Sequence, residues 1–134
     1  MEIIINKIHV TSRAAVAFVL FYHGLVSKII FLDDTERAIT DVHKISLPTE
    51  VSLIIFGAFE ILLALILFFY RKSLLPVYVT VVIMVLLLID VVIFVPELLV
   101  QAFSPVTMNI VCIALCFIII ISSSPSKKYR SSVY

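Results

Sequence analysis

The sequence predicts an all-α integral membrane protein, a bundle of four helices that each cross a bilayer. Of its 134 residues, 63% are hydrophobic and 14% are charged, and the mean hydropathy is +1.24. Soluble domains have about half apolar and about a quarter charged residues, so this composition is typical of a membrane protein. Four apolar runs, each about as long as a helix that spans a bilayer, complete the prediction.

The predicted transmembrane helices cover residues 14–31, 51–70, 74–95 and 103–121 of a single domain, 1–134. Each is close to the ~20 residues that an α-helix needs to cross a hydrocarbon core of about 30 Å. The third run does not alternate polar with apolar residues, which excludes the strands of a transmembrane barrel. The first run follows basic residues as a signal peptide does, but His23, Ser27 and Lys28 interrupt it and no small-residue cleavage site follows. We therefore expect a retained helix.

The connections between these helices are short and mostly polar. We expect a polar outer loop at 32–50, a tight turn at 71–73, a short segment at 96–101 and a basic tail at 122–134. Pro76, Pro96 and Pro105 lie at or near predicted helix ends, where proline is tolerated in a first turn or as a stop.

The basic residues predict the orientation. Seven of the ten lie in the N-terminal segment, the second connection or the tail: Lys7, Arg13, Arg71, Lys72, Lys127, Lys128 and Arg130. The first loop instead carries five acids: Asp33, Asp34, Glu36, Asp41 and Glu50. By the positive-inside rule, both termini are expected on the cytoplasmic side of a bacterial-type inner membrane. The basic tail could also contact anionic lipid.

Four ionisable side chains fall inside the predicted spans: His23, Lys28, Glu60 and Asp90. From the helix rise, His23 and Glu60 each lie about 15 Å from their own side, near the midplane. Lys28 and Asp90 lie about 22 to 27 Å from the cytoplasmic face. The sequence thus predicts a His23/Glu60 layer with a Lys28/Asp90 layer above it, and Asn109 enters the upper layer from the fourth helix.

Each layer has a structural and a functional interpretation. Lys28 and Asp90 could form a neutralising ion pair, or Lys28 could extend to the interface. Alternatively, both could contact a ligand or take part in gating. His23 and Glu60 could form an interhelical hydrogen bond, or they could orient a polar head group and exchange a proton. Small residues near them, at Gly24, Gly57 and Ala64, predict that a neighbouring backbone comes close.

Other chemistry is disfavoured by the residue pattern. The net charge of +1 and the lack of aromatic and basic stripes argue against a nucleic-acid partner. Cys112 and Cys116 are four residues apart on one helix face, which is a poor disulfide geometry, and we interpret them as core residues. The three histidines are scattered, so we predict no metal site, and no phosphate-binding loop or hydrolase motif is present.

Short motifs resemble those of the DoxX-like family of small four-helix membrane proteins. The run from His23 to Lys28 reads H-G-L-V-S-K and is similar to the family's H-G-x-x-x-K. The run from Gly57 to Glu60 reads G-A-F-E and resembles the G-x-x-E of the second helix. Pro96 together with residues 102–109 is similar to the P…F-x-P…N stretch. The positions that match are His23, Lys28, Glu60, Pro105 and Asn109.

This resemblance implies a four-helix frame and a link to membrane redox chemistry, since members are associated with thiol-to-quinone oxidoreductase subunits and oxidative-stress complexes. The wider group resembles proteins with sterol or lipid cavities. We expect a pocket of His23, Lys28, Glu60, Asp90 and Asn109 that binds a quinone or lipid, with no metal. A non-catalytic accessory subunit docked on a membrane or oxidoreductase partner is the alternative. A proton-relaying transporter would require a homo-oligomer, and enzymatic activity stays open.

Overall fold

Four long helices form the protein, as the sequence predicts. The computed structural model describes residues 1–101 and 104–123. Helix α1 runs over Glu2–Tyr22 and continues without a break as a π-helix over His23–Ile30. The three later spans are α3 at Thr49–Phe69, α4 at Leu75–Phe94 and α5 at Pro105–Ser123. All four are long and apolar enough to cross a membrane, which confirms the predicted fold class.

Two shorter helices lie in the connections. Helix α2, Asp34–Asp41, lies in the predicted outer loop 32–50, and a 3₁₀-helix over Pro96–Val100 follows α4. The Asp33 side chain accepts a hydrogen bond from the Thr35 backbone N–H, which caps the N-terminus of α2. The prolines begin helices, as expected: Pro76 lies in the first turn of α4, and Pro105 begins α5.

The helix bounds differ from the prediction mainly at the N-terminus. The first span begins at Glu2 instead of residue 14 and is 29 residues long. Hydropathy misses its first turns because polar residues interrupt them, yet these turns pack: His9 Nδ1 lies 3.2 Å from the Ile119 carbonyl oxygen and 3.1 Å from Ser122 Oγ on α5. The predicted fourth-helix start at 103 and the tail beyond residue 123 lie outside the described residues.

The helices pack in the order α3, α1, α5, α4 around a shared core. Helix α1 contacts both α3 and α5, and α5 contacts α4, whereas α3 and α4 touch little although a short turn joins them. Buried apolar residues from all four spans fill the bundle from its centre toward the α3–α4 turn: Val16, Ala17, Leu20, Leu63, Ala64, Leu67, Val77, Met84, Cys112, Cys116 and Ile119. Cys112 and Cys116 are buried free thiols in this core.

Arg13 fixes the end of the bundle where α3 turns into α4. Its side chain is buried, and its guanidinium donates to the carbonyl oxygens of Leu67, Tyr70, Arg71 and Ser73 at 3.1 to 3.2 Å. The last carbonyls of a helix have no partner within the helix and carry the negative end of its dipole, so a buried guanidinium satisfies both needs. Arg13 thereby joins α1 to the α3–α4 turn.

The π-helix of the first span and α3 come into close contact at two glycines. A Cβ atom added to Gly24 would lie 2.6 Å from the Gly57 carbonyl oxygen, and one added to Gly57 would lie 2.6 Å from the Gly24 carbonyl oxygen. Carbon and oxygen atoms cannot approach so closely, so only glycine fits at either position. The expected close approach at Gly57 is confirmed, with Gly24 as its partner.

We therefore expect Gly24→Ala to lower the free energy of unfolding by about 1 to 3 kcal/mol, because the added methyl group meets backbone instead of a flexible side chain. Denaturant unfolding in detergent micelles measures the change. Ala58→Leu, on the exposed side of α3, is the matched control and should leave stability nearly unchanged. Equal stability of Gly24→Ala and the parent protein would contradict the close helix contact.

Candidate functional site

A buried ion pair between Lys28 and Glu60 lies at the centre of the candidate site. The Lys28 ammonium donates a hydrogen bond to Glu60 Oε1, and both side chains are about nine-tenths buried. Each residue follows one of the two close-packed glycines by about one helical turn, Lys28 after Gly24 and Glu60 after Gly57. The glycine contact therefore brings the two charged side chains within reach of each other.

The π-helix places His23 and Lys28 on the same side of the first span. Residues five apart differ by about 140° in an α-helix of 3.6 residues per turn. In a π-helix the hydrogen bonds join residues five apart, so such residues lie one above the other. His23 Nδ1 lies 3.5 Å from Glu36 Oε1, and Lys28 Nζ lies 3.5 Å from Glu36 Oε2. The local change of helix type lets both side chains reach one carboxylate.

Glu36 is a member of the site that sequence reasoning missed. It lies on α2, outside the spans, and its side chain is only 16% exposed. Burial alone would raise the pKa of the Glu36 carboxyl, but the hydrogen bond with His23 and the charge of Lys28 outweigh it and hold that pKa below its usual range. Glu36 is therefore ionised at neutral pH, and the Lys28 side chain lies between two acids, Glu36 and Glu60.

A sequence signal for α2 was present. Asp33 followed three residues later by Glu36 is a typical helix N-terminus. Glu36, Ile39 and Thr40 then have helical spacing, so they share one face, and that face lines the site. The acidic loop therefore folds back over the bundle instead of extending into water.

A second polar pair joins the end of this loop to α4. His43 Nε2 lies 2.8 Å from Asp90 Oδ1, and His43 Nδ1 lies 2.8 Å from the Ile39 carbonyl oxygen. Because a carbonyl and a carboxylate oxygen can only accept, both ring nitrogens must donate, and the geometry fits a protonated imidazole. His43 also packs on Phe94 at 5.0 Å between ring centroids. The sequence offered no signal for this partner beyond a histidine in the loop.

These groups border an apolar cavity of about 610 Å³ between α2, α3 and α4. Its charged and polar lining comes from Lys28, Glu36, Thr40, His43, Glu60 and Asp90. Apolar side chains form the rest: Leu20, Ile39, Ile45, Ile55, Phe56, Phe59, Leu63, Ile83, Leu86 and Leu87. Ligand sites typically have 300 to 1,000 Å³ of mostly apolar space with a few placed polar groups, so about 610 Å³ suits a small amphiphile.

Of the five site residues predicted from the sequence, three line the cavity and two do not. Lys28, Glu60 and Asp90 line the cavity. His23 is not in its lining and contacts it through Glu36. Asn109 is buried on α5 and is also absent from the lining.

The expected layer partners do not pair in the described part of the chain. Glu60 pairs with Lys28 instead of His23, and Asp90 pairs with His43 instead of Lys28. Depth estimates from helix rise treat each helix as a straight rod and leave the loops out. Here the π-helix changes which side chains face α3. Helix α2 supplies the partner of His23, and the segment after α2 supplies the partner of Asp90.

The site consists of hydrogen-bonding groups that pair with one another. Within residues 1–101 and 104–123, no group of three or more His, Cys, Asp or Glu side chains is placed to hold a metal ion. What the site offers is a fixed carboxylate and ammonium beside apolar space. Such a pair can orient a polar head group and exchange a proton with it.

The sequence profile of the DoxX-like family matches residues 17–117, which is most of the chain. The chain belongs to the DoxX-like family. Neither a curated protein nor a solved structure matches it. The match includes every residue of the site in this DoxX-like protein, from His23 to Asp90, and confirms the resemblance noted in its motifs.

The His43–Asp90 pair predicts a pH dependence. The hydrogen bond with Ile39, and next to it the contact with Asp90, raises the pKa of His43 above its ordinary value of about 6.5. A raised pKa means that the stabilisation is complete below about pH 6.5 and is lost as the pH rises through the folded-state pKa. Because the ring is partly exposed, we expect the loss to be under about 1 kcal/mol.

Thermal unfolding of the parent and of His43→Gln, measured from below about pH 6.5 to above the folded-state pKa of His43, isolates the contribution of the His43 charge to stability. We expect the Tm difference between them to be largest at low pH and to shrink as the pH rises. Lys44→Gln, at the exposed neighbouring position, serves as the control. A difference that does not change with pH would show that His43 does not act through its charge.

Proposed function

We propose that this DoxX-like protein binds a membrane-resident amphiphile, a quinone or a lipid, in the cavity beside Lys28 and Glu60. The observation that supports this is the combination of about 610 Å³ of mostly apolar space with a buried ion pair at its wall. The apolar part suits a ring or acyl chain, and the ion pair suits a polar head group. The proposed ligand pocket thus has the composition that small-molecule sites usually have.

The energetics of the ion pair also support a binding role. Charged side chains inside a membrane are costly, and replacing a buried ion pair by apolar residues is often neutral or stabilising. Lys28, Glu60 and Glu36 form a three-membered cluster of this kind, with Lys28 between the two acids. A bundle that needed only to fold would not require it, which favours a role for these charges in contact with a ligand.

The proposed location is a bacterial-type inner membrane with both termini in the cytoplasm. Arg13, Arg71 and Lys72 lie at the end of the bundle where α3 turns into α4, and the acidic α2 lies at the other end. The positive-inside rule supports this orientation. The cavity would then lie in the outer half of the bilayer, beneath α2.

We expect reporter fusions to distinguish the two sides of the membrane. An enzyme reporter that is active only in the cytoplasm should be active after Tyr134 and inactive when inserted after Ser46. Activity at Ser46 would reverse the proposed orientation. A fusion after Lys72 tests the same rule at an internal position and should agree with the one after Tyr134.

An accessory subunit is the second candidate function. The α-helical part of the first span, Glu2–Tyr22, is about 32 Å long and the π-helix lengthens the span further, whereas the hydrocarbon core is about 30 Å thick, so its N-terminal turns extend past the core. Ile3, Ile4 and Ile8 are exposed on these turns, with Ile3 72% accessible. Apolar side chains beyond the hydrocarbon favour contact with another membrane protein, which could be an oxidoreductase.

The first test is native mass spectrometry of the protein after gentle extraction, with released small molecules identified by liquid chromatography. We expect one amphiphile per protein in the parent and a loss of about tenfold or more in Glu60→Gln, because a hydrogen bond to a charged group is replaced by a weaker one. The amide keeps the side-chain shape, and Lys28 keeps Glu36 as a partner.

Glu50→Gln is the matched control, since Glu50 is an exposed acid at the start of α3 and pairs only with Arg37 among the described residues. It should retain the ligand. Equal retention in all three proteins would contradict binding at Glu60. A protein that carries no small molecule but a second polypeptide would favour the accessory subunit.

A further inference from the structure

We infer that the head group recognised by Lys28 and Glu60 is a hydroxyl group, such as that of a quinol or a lipid alcohol, and not a carbonyl group; this rests on the proposed ligand pocket. The observation is the second oxygen of Glu60. Its Oε1 accepts from Lys28, while Oε2 is buried and has no hydrogen-bond partner within the described ranges. The whole residue is only 9% exposed.

A buried carboxylate oxygen without a hydrogen-bond partner is unfavourable, because nothing replaces the hydrogen bonds that it makes with water in the unfolded chain. A carboxylate can only accept, so the missing partner must be a donor. A hydroxyl group donates to Oε2 and can also accept from the adjacent ammonium. A carbonyl group can only accept, so it would leave Oε2 buried and unpaired.

The other polar groups around the cavity do not supply that donor. Thr40 Oγ1 donates to the Glu36 carbonyl oxygen at 2.9 Å. The two ring nitrogens of His43 face Ile39 and Asp90. Lys28 directs its ammonium at Glu60 Oε1 and Glu36 Oε2. Two of the three Lys28 N–H groups are thereby engaged, and no donor within the described ranges lies at hydrogen-bond distance from Glu60 Oε2.

The space next to Glu60 fits the rest of such a molecule. Phe56 and Phe59 lie one turn and one residue before Glu60 on α3, and both line the cavity. Leu63 lines it one turn later. An aromatic ring or a glyceride backbone bearing the hydroxyl would therefore meet apolar side chains on the same helix that holds the carboxylate.

Two matched pairs of probes test the inference without relying on any variant. In lipid nanodiscs under anaerobic conditions, calorimetric titration compares decylubiquinol with decylubiquinone, and dioctanoylglycerol with its acetyl ester. Each pair keeps the tail and changes the hydroxyl group. We expect the hydroxyl form of at least one pair to bind about tenfold or more tightly than its partner, and the pair that responds identifies a quinol or a lipid alcohol.

The same titrations with Glu60→Gln then test whether the Glu60 carboxylate causes the preference for the hydroxyl form. An amide can donate as well as accept, so the variant should bind the two members of each pair with similar affinity, while Glu50→Gln should behave as the parent. A preference that persists in Glu60→Gln would overturn the assignment to Glu60. Equal binding of both members by the parent would overturn the hydroxyl inference and leave the ligand pocket intact. No binding of any probe above empty nanodiscs would overturn both.

Discussion

The contact between Gly24 and Gly57 is the constraint on which the rest of the site depends. The two backbones approach so closely that a single methyl group on either residue would collide with the opposite carbonyl oxygen. One turn further, the same approach joins Lys28 to Glu60. The π-helix adds a second constraint, because it turns His23 toward Glu36 together with Lys28. Two local backbone features thus determine a network of four ionisable side chains.

The charges of this network compensate one another across elements of different stability. Lys28 and Glu60 lie on long helices held by the core, whereas Glu36 and His43 belong to a short loop region that rests on them. The positive charge of Lys28 therefore draws the acidic α2 down onto the bundle. The His43–Asp90 contact holds the end of the same loop against α4. The part of the loop from Glu36 to His43 is thereby held on the bundle by polar contacts at both of these residues.

The four spans could be predicted because hydropathy over about 20 residues is a strong signal. Glycine at 57 and the acid at 60 likewise indicated a close helix contact. The partners could not be predicted, because a π-helix has no hydropathy signature and changes which side chains face a neighbour. Glu36 and His43 were missed because a polar loop was expected to lie in water. Asn109 was assigned by depth and by its place in the motif, and neither determines the direction in which a side chain points.

The weak packing between α3 and α4 has a consequence for how the cavity communicates with its surroundings. Phe59 and Leu86 line the cavity, and these residues are 52% and 60% exposed. In a membrane, apolar side chains exposed between two spans face acyl chains, so a gap between α3 and α4 at these residues would lead into the bilayer. A molecule that reached Glu60 by this route would exchange with the lipid phase. Occupancy would then follow the mole fraction of that molecule in the membrane, independent of its solubility in water.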